Sequence, residues 1–392
     1  MQKTGTALYS LPPFPLMSGR PQGNAATSPS IMTHPAQPPS GSPANAGITL
    51  MQSAVWLVSN LVTNQIDEVL NTELASSRLR AGVALRAFQQ AGVELLPLNL
   101  KDSKRTPDVA FVSKFVPDSG SGRYYQDGGV RHAAWVEALK RIKSTGGRVA
   151  VDYTDHHLVS QDARGAFYRE IVGLVDAMVV PSEKMQRNLA SVWRGPSTII
   201  PEPIEVPITP PKARPASENA APVALWFGHN SNLPYLFDFI ARQAAQLPRM
   251  DYLILTNGID QNALKRAAQT GHPLARYQLA KWSVPVMIEA AKLADVALIP
   301  SDASDPRKNG VSNGRLLTAL ALGLPVAAER LESYLPYEAF FTDIRDSAAM
   351  TALAHDPVQQ HTAVLRAQAE VLPEFERGAI GDLWLKVFRQ LG

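Results

Sequence analysis

From residue 53 onward the chain repeats one polarity pattern. A short, nearly unbroken apolar run leads to a polar loop, then to a longer stretch that is apolar at every third or fourth position. The runs AVWLVSN (54–60), VELLPL (93–98), DVAFVSKF (108–115), RVAVDYTD (148–155), AMVVPS (177–182) and TIIPEPI (198–204) predict strands. Helices are expected over 76–92, 132–147, 166–176 and 183–193, the first two ended by glycine. The pattern breaks at PEPIEVPITPPKARPASENAAP (201–222), whose prolines forbid regular helix, and then restarts. VALWFG (223–228), DYLILTN (251–257), DVALIP (295–300) and PVAAE (325–329) read as strands, and 234–247, 261–270, 284–294 and 312–323 as helices. Residues 345–392 read as helices. Strands apolar on both faces and alternating with helices predict doubly wound parallel sheets. The expected fold is α/β, with two Rossmann-like halves facing a cleft, and ligands belong at the carboxyl edges of such sheets.

Composition narrows the picture. A chain of 392 residues is long enough for two domains with cores of their own. Residues 1–50, rich in Pro, Ser, Gly and Ala, bury too little to offset their ordering entropy and are expected to be disordered. The remaining units are 51–204, a linker 205–222, 223–374 and a final helix 375–392. A formal charge of +3 gives no reason to expect nucleic acid as a partner. The absence of cysteine excludes disulfides and thiol catalysis, and fits a reducing compartment. No run approaches the roughly 18 apolar residues of a membrane span. The first residues lack a signal-peptide pattern, so the expected location is cytoplasmic, with peripheral contact at the inner face of the membrane left open.

Four loops at predicted strand or helix ends carry candidate chemistry. SDASDPRKNGVSNG (301–314) puts Arg307 and Lys308 ahead of a helix that Ser312 and Asn313 can cap, with Arg315 in its first turn. The free N–H groups and dipole of such a helix start favour an anion, and the basic pair adds charge at the same mouth. WFGHNSNLPYL (226–236) turns at Gly228 and offers His229 and Asn230 where such folds approach a nucleotide phosphate. VDYTDHHL (151–158) ends a strand with Asp155 and His156, and an imidazole there can hydrogen-bond a sugar or stabilise developing charge. ASSRLR (75–80) starts a helix with Ser76, Ser77 and Arg78 toward the same cleft. Each has a plain alternative: a capped helix or a solvated loop. SDASD has the wrong spacing for a metal-binding Asp-x-Asp, so no metal is expected.

Taken together these segments resemble the GT-B glycosyltransferases, particularly the retaining family 4 type, over nearly all of 52–392. DVALIPSDASDPRKNGVSNGRLLTALALGLPVAA (295–328) looks like their donor-site segment. VDAMVVPSEKMQRNLA followed by IIPEPIE resembles the stretch before their interdomain hinge, and WFGHNSNL stands where their second domain's glycine loop begins. One departure matters. The family carries two glutamates about eight residues apart around the donor-site helix, and here those positions are Gly310 and Thr318. Threonine can hydrogen-bond a ribose hydroxyl but lacks the charge-assisted bond of a carboxylate.

The resemblance implies a polysaccharide-type glycosyltransferase: a sugar moves from a nucleotide donor to a hydroxyl on a glycan or lipid-linked acceptor. The first half would be the acceptor side, with Ser76, Ser77 and Arg78; the second would hold the donor. Gly228, His229, Asn230, Arg307, Lys308, Ser312, Asn313, Arg315 and Thr318 would line the donor site. Asp155, His156 and Lys308 would serve catalysis, and no cofactor beyond the donor substrate is implied. The final helix with Trp384 would cross back to the first half. Two other readings share the fold: a non-catalytic binder of nucleotide sugar or glycan, and a sugar-nucleotide epimerase.

Overall fold

A computed structural model describes residues 53–58, 66–72, 74–96, 105–116, 128–212, 221–243, 246, 249–258, 265 and 275–392. The expected tail 1–50, all but residue 265 of the helix over 261–270, and part of the linker lie outside those residues. Two six-stranded sheets, parallel throughout, form the frame. The first has the order β2-β1-β3-β4-β5-β6, from β1 (Ser53–Leu57), β2 (Glu94–Leu95), β3 (Val109–Val112), β4 (Arg148–Asp152), β5 (Ala177–Val180) and β6 (Ser197–Ile199). The second runs β12-β11-β10-β7-β8-β9, from β7 (Val223–Gly228), β8 (Asp251–Thr256), β9 (Tyr277–Lys281), β10 (Val296–Ile299), β11 (Val326–Ala328) and β12 (Thr342–Asp343).

The central strands are apolar because helices cover both faces. Every residue of β1, β3 and β10 is buried. Strand order reverses between β1 and β3 in one sheet and between β7 and β10 in the other. Those two switch points open a crevice at the strands' carboxyl ends. They place residues 113–116 of the first half, and 228–232 and 300–313 of the second, around one cleft.

The last helix, Arg377–Leu391, follows the second half in sequence but packs on the first. Trp384 meets Trp56 of β1 edge to face at 5.0 Å, and Phe388 meets Phe88 of the helix Gly82–Gln90 at 5.2 Å. Trp56 also stacks on Phe111 of β3 at 4.8 Å. This aromatic cluster fastens the chain's end to the sheet that bears the first switch point.

On the cleft's near side the halves touch through polar groups. Ser182 donates its hydroxyl to the Gly310 carbonyl at 2.8 Å, and Lys184 pairs with Glu332 at 2.8 Å. Gly310 is a tight fit: a Cβ there would sit 3.3 Å from the Met185 amide nitrogen. The glutamate expected by resemblance at this position would meet the first half's backbone.

Gly323 stops the helix Gly314–Ala321 and turns the chain into β11. Its φ of +78° is in the left-handed region, and a Cβ would lie 2.6 Å from the Thr209 carbonyl oxygen of the linker. Gly92 has the same φ with nothing within 4 Å. A left-handed alanine costs about 1–2 kcal/mol from backbone sterics alone. Gly323→Ala is therefore expected to lower Tm clearly more than Gly92→Ala in a thermal melt; equal losses would mean that the linker contact carries no weight.

Candidate active site

The cleft site starts at the carboxyl end of β4. Asp152, the strand's last residue, is fully buried against Arg80 at 2.6 Å. Burial pushes its carboxyl up to about 6 against the pull of the guanidinium. The three polar residues after Tyr153 and Thr154 leave the strand in a bend and a short 3-10 turn, and meet different partners. Asp155 accepts from Lys114, at the end of β3, at 2.5 Å, with both side chains about a quarter exposed. His156 turns inward, with Nδ1 3.1 Å from the buried Tyr153 hydroxyl. His157 lies flat on Tyr168 at 5.6 Å, its Nε2 3.8 Å from Asp155.

Burial alone would raise the Asp155 carboxyl. Lys114, His157 and Lys308 overrule it and hold the group at about 2, so Asp155 is ionised throughout the neutral range. Burial lowers both imidazoles, His157 to about 4, so they are neutral at pH 7.

Across the cleft, Lys308 lies on a short helical turn, Pro306–Asn309, after β10. Its ammonium donates to Asn232 at 2.9 Å and sits 5.7 Å from the Tyr235 ring centroid. Burial lowers its pKa, opposed by Asp155 of the other half and reinforced by Arg315 and Lys114. His229, on the loop after β7, is lowered by burial and by the fields of Lys114 and Lys308. Its Nδ1 accepts from the Ser231 amide at 3.2 Å, and the Asn230 amide donates to Asn257 at 2.9 Å. Arg315 faces Gly228, where a Cβ would be 3.5 Å from its Nη1, and that nitrogen has no hydrogen-bond partner among the described residues. Lys114, Lys308 and Arg315 thus converge from both halves, with Asp155 set among them. That balance favours an added anion.

Other expected site residues sit differently. The helix expected from Ser312 begins at Gly314, and Asn313 makes no side-chain cap; its buried Oδ1 is unpartnered among the described residues. Ser312 does accept from the Gly314 amide at 3.1 Å. A linker carboxylate, Glu202, occupies the space at this helix start: a Cβ on Gly314 would meet its Oε2 at 2.6 Å, and hydrogen bonding with Ser312 opposes the rise in pKa that burial causes. Thr318 is buried, one turn further along. Ser76 and Ser77 do not cap a helix. They lie in a π-helical turn, Ser76–Ala81, whose N-cap, Ala75, makes no side-chain bond. Arg78 from that turn pairs with Glu205 at 2.8 Å, donates to the Thr72 carbonyl at 2.6 Å, and lies over Trp282 at 4.5 Å. Its partners belong to the joint between the halves, not to the Lys114–Asp155–Lys308 group. The backbone of Arg307 lies in the same turn as Lys308; its side chain is outside the described residues.

Sequence reasoning misses Lys114 and Glu202, and reads Asn232 only as part of the polar loop that leads into the helix near Pro234. Lys114 was legible in principle: a lysine just past an all-apolar strand sits at a carboxyl edge. Among the described residues no group of three or more His, Asp or Glu side chains is arranged to hold a metal ion. None of the described helices is long and apolar enough to cross a membrane.

His157 sets a pH dependence. It takes up a proton at about 6.5 when unfolded but only at about 4 when folded. Between those values the unfolded state binds more protons, so stability falls as pH falls. The wild type should therefore lose stability relative to His157→Gln as pH drops from 6.5 to 4, read by urea denaturation at several pH values. A pH-independent difference would show that the ring is not held neutral.

No family model matches the chain, and no curated protein matches it in sequence. Solved structures do match in fold. An alpha-glucosyltransferase in complex with UDP-glucose and DNA containing an abasic site aligns with a TM-score of 0.55 and 11% identity, over 86% of this chain and 99% of that one. TarM aligns with a TM-score of 0.53 and 9% identity, over 78% of this chain and 58% of that one. A point mutant of S. aureus TarM, in complex with Fondaparinux, alpha-GlcNAc-glycerol and UDP, gives 0.51 at 10% identity, over 78% of this chain and 59% of that one. This chain spans well under two thirds of TarM's length. At such identities the likeness establishes architecture: the protein has the two-domain GT-B fold of these glycosyltransferases.

Proposed function

We propose that the protein is a glycosyltransferase that moves a sugar from a nucleotide donor to a hydroxyl acceptor. The observation that carries this reading is the meeting of Lys114 from the first half with Lys308 and Arg315 from the second, at the switch points of both sheets. A nucleotide diphosphate there would neutralise cations that now share Asp155. Those cations stabilise charge that grows on the leaving diphosphate as the glycosidic bond breaks, and such preorganised groups lower the barrier. Arg307 would add charge at the same mouth, and Gly228, His229, Asn230 and Ser312 would line the donor. The protein's own cations do the work a metal does elsewhere, so the transfer is proposed to be metal-independent. Asp155 and His156 face the transferring sugar or its acceptor, a glycan or lipid-linked hydroxyl. The family 4 likeness and peripheral action at a membrane belong to this proposal as well.

A second reading has its own support. Gly310 and Thr318 replace the paired glutamates, and Glu202 fills the helix start nearby. Those features favour a non-catalytic binder of nucleotide sugar.

Calorimetry of the full chain with UDP, GDP, ADP, TDP and CMP separates these readings from a chain that binds no nucleotide. One nucleotide is expected to bind at micromolar Kd, with Lys308→Ala weakening it about tenfold or more. Release of free nucleotide from the matching nucleotide sugar, given an acceptor, identifies the enzyme; binding without release identifies the binder. Equal affinity in wild type and Lys308→Ala removes Lys308 from the account.

A further inference from the structure

His156 and His157 are adjacent, yet their rings meet different surroundings. His157 Nε2 is enclosed and lacks a hydrogen-bond partner among the described residues. His156 instead turns Nδ1 to the Tyr153 hydroxyl at 3.1 Å, while no hydrogen bond from its Nε2 occurs among the described residues. Tyr153 itself is 0% exposed. Its oxygen accepts from the Leu158 amide at 2.8 Å, while the His157 amide donates to the Asp155 carbonyl at 2.8 Å.

The donors and acceptors around Tyr153 decide where its proton goes. The phenol has one proton and two acceptor lone pairs. The Leu158 amide uses one of its acceptor lone pairs, and burial keeps the group protonated by pushing its pKa far above the usual phenol range. The hydrogen must therefore point to an acceptor. Among the described residues, the atom placed to take it is His156 Nδ1. An imidazole that accepts at Nδ1 and is neutral carries its own proton on Nε2.

We infer that Tyr153 is a positioning residue: its hydroxyl locks His156 in the Nε2–H tautomer, leaving Nε2–H as the donor the ring can offer a ligand. His156 then meets an acceptor atom, such as a hydroxyl or ring oxygen of a sugar, and does not serve as a base. This assignment of ligand chemistry rests on the glycosyltransferase reading; the tautomer itself does not. His229 is held alike on the opposite wall, where its Nδ1 accepts from the Ser231 amide.

A long-range proton–nitrogen-15 correlation spectrum of the full chain, labelled at histidine, tests the inference. The chain has 8 histidines, and His156→Asn identifies the signals by their loss. At neutral pH the His156 signals should show the Nε2–H pattern. In Tyr153→Phe they should move to a mixture of both tautomers or to Nδ1–H. An Nδ1–H pattern in the wild type overturns the inference, even if Tyr153→Phe fails to fold. An unchanged pattern in a folded Tyr153→Phe overturns it as well. Where a nucleotide sugar is turned over, Tyr153→Phe should slow turnover about tenfold while affinity for the free nucleotide stays the same. A chain that binds no nucleotide would defeat the glycosyltransferase reading and leave the spectrum to decide the tautomer alone.

Discussion

A buried ion pair ties the first half of this molecule to the final helix that packs on it. Arg80 and Asp152 are both fully enclosed, 2.6 Å apart. The guanidinium also donates to the Ile200 carbonyl at 2.8 Å and lies 5.2 Å from the Trp384 ring. One side chain thus joins the π-helical turn, the end of β4, the start of the linker and the final helix. Taking two charges out of water is expensive, and removing one member of such a pair costs about 3–5 kcal/mol because the other is left unpaired. Arg80 lies in the π turn and is fully buried. An arginine on an ordinary surface helix would extend its charge into water.

From that joint the cleft follows. With β4 and the linker held together, the loop after β4 must leave at the sheet's carboxyl edge, and Asp155 reaches the lysine at the end of β3. The linker also delivers Glu202 against the helix start at Gly314 and Glu205 against Arg78. Ser182, Lys184 and Glu332 close the near side. Lys114 and Lys308 therefore face one another across a gap fixed by contacts that neither of them makes. Under the proposed function, such a preorganised arrangement would serve group transfer from a diphosphate.

Much of the fold was legible in the sequence. Strands covered on both faces leave an apolar run that survives any detail of packing, so β1, β3, β4, β5, β7, β8, β10 and β11 could be placed from pattern alone. β9 could not. It is an edge strand, and YQLAK mixes polar and apolar residues because most of it is only partly covered. The strand expected over 93–98 shrinks to the two residues of β2, and two-residue β12 is too short to leave a period. At the site, Lys308, Asp155 and His156 were legible as polar residues past strand ends. Lys114 was hidden inside a strand reading, and Glu202 inside a proline run that reads as a spacer. The SSRLRA segment reads as a helix start that presents Ser76, Ser77 and Arg78 to the cleft, with capping as the plain alternative. Here the turn is π-helical and both arginines are buried against carboxylates.

The central claim is that cations from both halves grip one anion. A double-mutant cycle on nucleotide diphosphate affinity, with Lys114→Ala, Lys308→Ala and the double variant, tests it most directly. Groups that contact the same ligand couple by about 0.5–3 kcal/mol. The account predicts coupling of that size, with each single variant weakening binding. Strictly additive losses, or a Lys114→Ala variant that binds as the wild type does, would contradict it.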